Sequence, residues 1–169
     1  MRLGFKKTAG FSYVEMVFAV AMLALLAAAA IPYLEKNIQR KKELELRQNL
    51  RQIRSAIDEY KIAVDQGKIS KSLGDSGYPH HLEDLVKGVD DITDPQKKKL
   101  YFLRRMPADP MFPRQSAVNN EIMPEDTWAK RSYDSDADNP REGGDVYDVY
   151  SYSKDTGLNG IPYEKKKKK

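Results

Sequence analysis

Residues 11–34 read FSYVEMVFAVAMLALLAAAAIPYL, 24 residues with a single charge, Glu15. A helix of that length crosses a hydrocarbon core of about 30 Å. Apolar side chains fall on every face, which predicts a membrane span rather than the one-sided helix of a soluble core. Residues 16–31 contain no charged or strongly polar group. Glu15 is the exception at the head of the run. A charge at the centre of a membrane helix costs about 2.5–3.5 kcal/mol on insertion scales and less near an end. A segment that is simply removed after export has no use for that cost.

The helical pattern continues past Pro32. Leu46, Leu50, Ile53, Ile57, Tyr60 and Val64 are spaced 4, 3, 4, 3, 4, an a/d stripe. Gly67 is the first glycine after the span and marks a C-terminal stop. One helix from Phe11 to Gln66 would run about 84 Å at 1.5 Å per residue. Its first half (11–34) is apolar all round, and its second half (35–66) is amphipathic. Pro32 removes one backbone donor and crowds the preceding turn, so a kink or local melting is expected there. The stripe spans about three heptads. It reads either as a seam between copies or as the face on which the rest of the chain packs. A small sheet is marginal without a helix behind it, which favours intramolecular packing.

Downstream, residues 67–78 form a Gly/Ser-rich turn region. Residues 78–88 (YPHHLEDLVKG) predict a short helix with Pro79 near its start and Gly88 as its stop. Asp94-Pro95 predicts a further helical turn through Lys99. The prolines of Met106-Pro107-Ala108-Asp109-Pro110 end regular structure. Strands are expected at Thr127–Tyr133 and Val146–Ser151, separated by the polar loop 134–145 (DSDADNPREGGD). Tyr133, Tyr147, Tyr150, Tyr152 and Tyr163 suit either stacking on a ligand or packing of a small sheet, and packing is the expectation. The fold class is α+β: a long N-terminal helix packed on a small antiparallel sheet with long loops.

Composition narrows the function. The 169 residues are 40% hydrophobic and 32% charged, with a mean hydropathy of −0.69, which excludes a multi-span membrane protein. There is no cysteine, hence no disulfide scaffold, thiolate metal site or cysteine nucleophile. The two histidines, His80 and His81, are adjacent and offer almost nothing for a His-based metal cluster or a Ser-His-Asp triad. No nucleophile elbow or phosphate loop is present, so no catalytic residue is assigned and an enzyme is not expected. The net charge of +4 comes from the ends. Arg2, Lys6, Lys7 and the lysines at 165–169 account for eight of the 29 basic residues, leaving 21 against 25 acidic ones. A basic body for gripping nucleic acid is therefore lacking.

Two export readings fit the N-terminus. A conventional signal peptide would use Arg2, Lys6 and Lys7 as its basic start and Ala28-Ala29-Ala30 as its cleavage site, releasing a periplasmic binding protein or enzyme that begins at Ile31. The other reading starts from residues 9–15 (AGFSYVE). A short basic leader ending in Gly10, then Phe11, Glu15 at the fifth position after the junction and a long apolar run resemble the leader of type IV pilins and pseudopilins. Ser12-Tyr13-Val14 stands where the family often has Thr-Leu-Ile.

The resemblance implies a leader of residues 1–10. Prepilin peptidase would cut it between Gly10 and Phe11 and methylate the new amine of Phe11. It implies that Glu15 meets the Phe11 amine of a neighbouring subunit in a filament, and that Pro32 is the family's helix-breaking position. The alternative is a Glu15 that reaches the headgroups and pairs with nothing. Basic residues flank both ends of the span (Lys36, Arg40, Lys41 and Lys42 follow it), so the leader motif decides for a cytoplasmic N-terminus. The implied location is the bacterial inner membrane, crossed once, with residues 67–164 a periplasmic α+β part.

The C-terminal half is narrower in its likeness. Gly77-Tyr78-Pro79, Leu82–Val86, Phe102–Pro110 and Asp145–Ser151 are similar to the major pseudopilin of type II secretion systems. Partners would be further copies in a helical homopolymer, related minor pseudopilins, prepilin peptidase and an inner-membrane assembly platform, with no nucleic acid. A type IV pilin of a surface filament is the alternative in the same class. Major pseudopilins carry a calcium-binding loop after the Tyr-Ser segment. Here only Asp155 matches as a carboxylate, making it the calcium candidate. The tail at 165–169 suits anionic lipid or polysaccharide, a solvated end, or an added tag.

Overall fold

A computed structural model describes residues 10–113 and 122–165. The leader residues Arg2, Lys6 and Lys7 and the lysines at 166–169 lie outside the described residues. The chain divides into two compact units, residues 1–40 and 41–169. One helix, α1 (Tyr13–Asp65), contributes residues to both.

α1 is unbroken through Pro32, so the expected local melting does not occur. Proline deletes one donor, and the hydrogen-bond ladder on either side is enough to hold the helical path. α1 stops where the sequence indicates. Gly67 adopts φ 73°, Gly67 N–H donates to the Val64 carbonyl (2.9 Å) and Lys68 N–H to that of Ala63 (3.0 Å). This is a Schellman motif, and its left-handed residue is the reason a glycine stands there.

Unit 2 is α+β. The short helix α2 (Asp84–Lys87) precedes β1 (Val89–Asp90), which pairs antiparallel with β2 (Lys99–Leu100). A 3-10 turn at Pro124–Thr127 leads into β3 (Trp128–Arg131), antiparallel to β4 (Asp148–Ser151) with Trp128 opposite Ser151 and Arg131 opposite Asp148. A last 3-10 turn covers Tyr163–Lys165.

Three expectations are corrected. The single sheet is two separate two-stranded sheets. The helix expected from Pro79 begins only at Asp84, because the Pro79 carbonyl accepts from Val146 N–H (2.8 Å) instead of a helical partner. The helical turn expected at Asp94–Lys99 is a chain reversal. The Asp94 side chain accepts from Gln96 N–H (2.9 Å), Lys97 takes a left-handed φ of 47°, and the chain returns as β2.

The stripe faces inward within the chain. Leu46, Leu50, Ile53, Ile57, Tyr60 and Val64 are all buried, against Leu82, Leu85, Leu103, Met106, Trp128, Val146, Val149 and Tyr163. Packing on the C-terminal half, rather than a seam between copies, is its role.

Candidate functional site

In unit 1, every described side chain from Phe11 to Leu34 is exposed. An 18-residue window in α1 has a mean hydropathy of 2.5, and none of it is buried. By length and composition this helix can cross a membrane. A surface so apolar is not left to water. Glu15 lies in the first turn of α1 and is exposed, where the free N–H groups of a helix start favour a carboxylate. Phe11 precedes the helix and is 80% exposed. A Cβ on Gly10 would meet nothing within 4 Å, so the fold itself does not demand a glycine there.

In unit 2, the Pro107-Ala108-Asp109-Pro110 segment is a hub. Trp128 Nε1 donates to the Pro107 carbonyl (2.7 Å) and Asn49 Nδ2 to that of Ala108 (3.1 Å). The buried Asp109 carboxylate accepts from Ser151 Oγ (2.5 Å) and Met111 N–H (2.8 Å), and Asp109 N–H donates to Thr127 Oγ1 (2.9 Å). Burial raises the Asp109 pKa, and the bonds from Ser151 and Met111 oppose the rise. The motif thus joins α1, β3 and β4. Arg54 of α1 adds a second tie, donating from Nε to Asp148 Oδ1 (2.6 Å) and from Nη2 to the Val149 carbonyl (3.0 Å).

The C-terminal loop is fastened by a residue that sequence reasoning passed over. Glu43 is 3% exposed. Its Oε1 accepts from Leu158 N–H (2.7 Å) and Tyr163 Oη (3.0 Å), and Arg47 lies 3.8 Å from Oε2. A signal existed. Glu43 stands three residues before Leu46, on the same 3,4 rhythm as the apolar stripe, and an acid on a core stripe implies a buried partner. Gly157 lies beside it, where a Cβ would approach Glu43 Oε1 to 3.2 Å.

Asp155, the calcium candidate, is exposed and accepts from Ser153 Oγ (3.3 Å), while its carbonyl accepts from Tyr163 N–H (3.0 Å). Among the described residues no group of three or more His, Cys, Asp or Glu is arranged to hold a metal ion.

The loop 134–145 is closed by Asp145. Its carboxylate accepts from Ser76 Oγ, Ser132 Oγ (2.8 Å) and Tyr133 N–H (2.9 Å). Burial pushes the Asp145 pKa up, but those three donors outweigh it and hold the carboxyl below its ordinary value. His80 Nδ1 lies 2.7 Å from the Gly144 carbonyl. That bond raises the imidazole pKa, partial burial opposes it, and Asp75, Asp84 and Asp145 add to the rise. Three tyrosines pack on one another: Tyr147 meets Tyr78 and Tyr133 edge-on at 4.9 and 5.6 Å, and the Arg131 guanidinium lies 4.8 Å from the Tyr147 ring. Tyr152 instead meets Phe112, and the Tyr163 hydroxyl donates to Glu43.

No family model, curated protein or solved structure matches the chain.

Proposed function

We propose that the chain is a structural subunit that polymerises through its N-terminal helix into a helical filament of the bacterial envelope, the pseudopilus of a type II secretion system. The observation that carries this reading is the apolar stretch 11–34, helical from Tyr13 and exposed at every described side chain, with one acid in the first turn of the helix. Lipid covers such a surface in the monomer, and a bundle of like helices covers it in a polymer. An ionised carboxylate removed from water needs a counter-charge. Cleavage after Gly10 would create one, the amine of Phe11, and in a staggered bundle that amine belongs to the neighbouring copy.

In this reading prepilin peptidase cuts and methylates on the cytoplasmic side, and the other partners are further copies of the chain, related minor subunits and an inner-membrane assembly platform. Unit 2 stands in the periplasm. The motifs at 102–110 and 145–151 support a secretion filament over a surface pilus. The test is N-terminal mass spectrometry of the protein from its own host. Phe11 carrying one methyl is the expected first residue. A mature chain starting at Ile31 overturns the reading in favour of an ordinary signal peptide.

A further inference from the structure

Two exposed tyrosines bracket the apolar start of α1. Tyr13 and Tyr33 stand 20 residues apart, about 30 Å along the helix at 1.5 Å per residue. That is the thickness of the hydrocarbon core of a bilayer, and tyrosine is enriched at both of its interfaces with water. The only charge between the two rings is Glu15, in the first turn. The tyrosines thus fix the depth of the helix. Tyr33 marks one boundary, and the residues after it enter a headgroup layer about 5–7 Å thick.

Bases begin at once on that side. Residues 33–42 (YLEKNIQRKK) contain four bases and one acid, Glu35. Lys36 lies about 4.5 Å and Arg40 about 10.5 Å past Tyr33 along the axis. Both are exposed, and neither forms an ion pair among the described residues. Four residues apart, they share one face of α1. Glu35 lies about 100° round from Lys36, on the side away from Arg40. Side chains on a helix lean toward its N-terminus, which here is toward the bilayer. The long stem of Arg40 therefore reaches back along the helix, as such stems do over apolar surface, and brings its charge toward the level of Lys36.

We propose that Lys36 and Arg40 bind the phosphates of anionic phospholipids in the leaflet that the span leaves at Tyr33. The proposal rests on the membrane-span part of the functional reading and not on the filament. Depth and charge select the occupant. The anions at that level beside a span are lipid phosphates, and basic residues next to a span are drawn to an anionic membrane surface. Arg40 offers a phosphate two parallel N–H donors, and Lys36 offers a point charge.

The full chain is reconstituted in phosphatidylcholine vesicles with a trace of spin-labelled phosphatidylcholine or spin-labelled phosphatidylglycerol. Electron spin resonance reads the lipid whose motion the protein restricts. Phosphatidylglycerol should be enriched several-fold over phosphatidylcholine at the protein surface, and added salt should lower the enrichment. Lys36→Gln with Arg40→Gln should abolish most of it, whereas Lys36→Arg with Arg40→Lys should keep it. No enrichment, or enrichment unchanged in the glutamine pair, overturns the proposal. Equal loss from Lys97→Gln with Lys98→Gln also overturns it, since that marks general surface charge. So does a loss that follows only Arg2→Gln, Lys6→Gln and Lys7→Gln, since the lipid is then gripped at the other end. Restricted phosphatidylcholine reports the span itself. Its absence removes the membrane reading and the proposal together, and its presence without phosphatidylglycerol enrichment removes the proposal alone.

Discussion

Glu15 and Asp145 are both carboxylates, yet their surroundings give them opposite tasks. Among the described residues Glu15 forms no ion pair or side-chain hydrogen bond, and in the proposed filament its counter-charge is an amine that only cleavage and a neighbour would supply. Glu15→Ala should therefore be inserted and cut normally, while filament yield or secretion is lost in a strain whose only copy carries the change. Removing one partner of a buried ion pair typically costs about 3–5 kcal/mol, against about 0–1 kcal/mol for an exposed pair. Wild-type assembly by Glu15→Ala would sink the pairing. Asp145 closes a loop within its own chain, and its depressed pKa gives a pH signature. A carboxyl held below its unfolded value stabilises the fold above that value, about pH 4, and the contribution is lost as pH falls through the folded pKa. His80 acts with the opposite sign. Its raised pKa contributes below the unfolded imidazole value, about 6.5, and the contribution fades as pH rises through the folded pKa. Loop 134–145 should be most tightly held between these limits. Amide exchange across the loop should quicken on either side of that window, Asp145→Asn should remove the acid limb, and His80→Gln the alkaline one. Unchanged exchange across the range would refute the paired closure.

At the scale of elements, α1 supplies one face of a core that α2, β3, β4 and the last 3-10 turn complete. Its buried residues form one face from Glu43 to Val64, and Ile53 is completely buried at the middle of it. Large-to-small changes in such a core leave a cavity, so Ile53→Ala should lower stability by about 2–5 kcal/mol, read as a reduced midpoint in a thermal melt of detergent-solubilised protein. Ile62, on the same helix but 53% exposed, should accept alanine with little change. The carboxylate at the head of that face ties a different element. Glu43→Ala removes the acceptor of the Leu158 N–H and of the buried Tyr163 hydroxyl, a loss of about 1–3 kcal/mol where a buried group loses its partner. Glu43→Gln keeps a carbonyl oxygen at the same place and should lose less. Limited proteolysis should cut the alanine variant first within residues 154–162. Cleavage elsewhere first would show that Glu43 is not the fastener.

At the scale of the whole molecule, the division into units 1–40 and 41–169 separates the exposed apolar stretch, long enough to cross a membrane, from the part with its own core. A chain beginning near Glu35 should be soluble, folded and monomeric by sedimentation. A tight oligomer that Leu50→Lys dissolves into folded monomer would instead make the stripe a seam between copies. Legibility followed the same division. The stripe was readable because a helix repeats every 3.6 residues, and burial of one face leaves that period in the sequence. The β1–β2 hairpin was missed because two-residue strands carry no period, and Asp94-Pro95 resembles a helix start as readily as a turn.

The sequence by itself determined the apolar span at 11–34, the long helix with its buried face and its stop at Gly67, and β3 and β4 to within two residues at either end. Each depends on neighbours in the chain, through periodicity, propensity or a left-handed glycine. It also displayed the Gly10, Phe11 and Glu15 pattern on which the functional reading rests. Only the tertiary structure decided that Pro79 gives its carbonyl to Val146, that Asp109 holds Ser151, that Arg54 grips Asp148, and that Glu43 anchors Leu158 and Tyr163 across more than a hundred residues. Those partners lie far apart in the chain. A buried polar group must find a partner somewhere, but nothing local in the sequence says where.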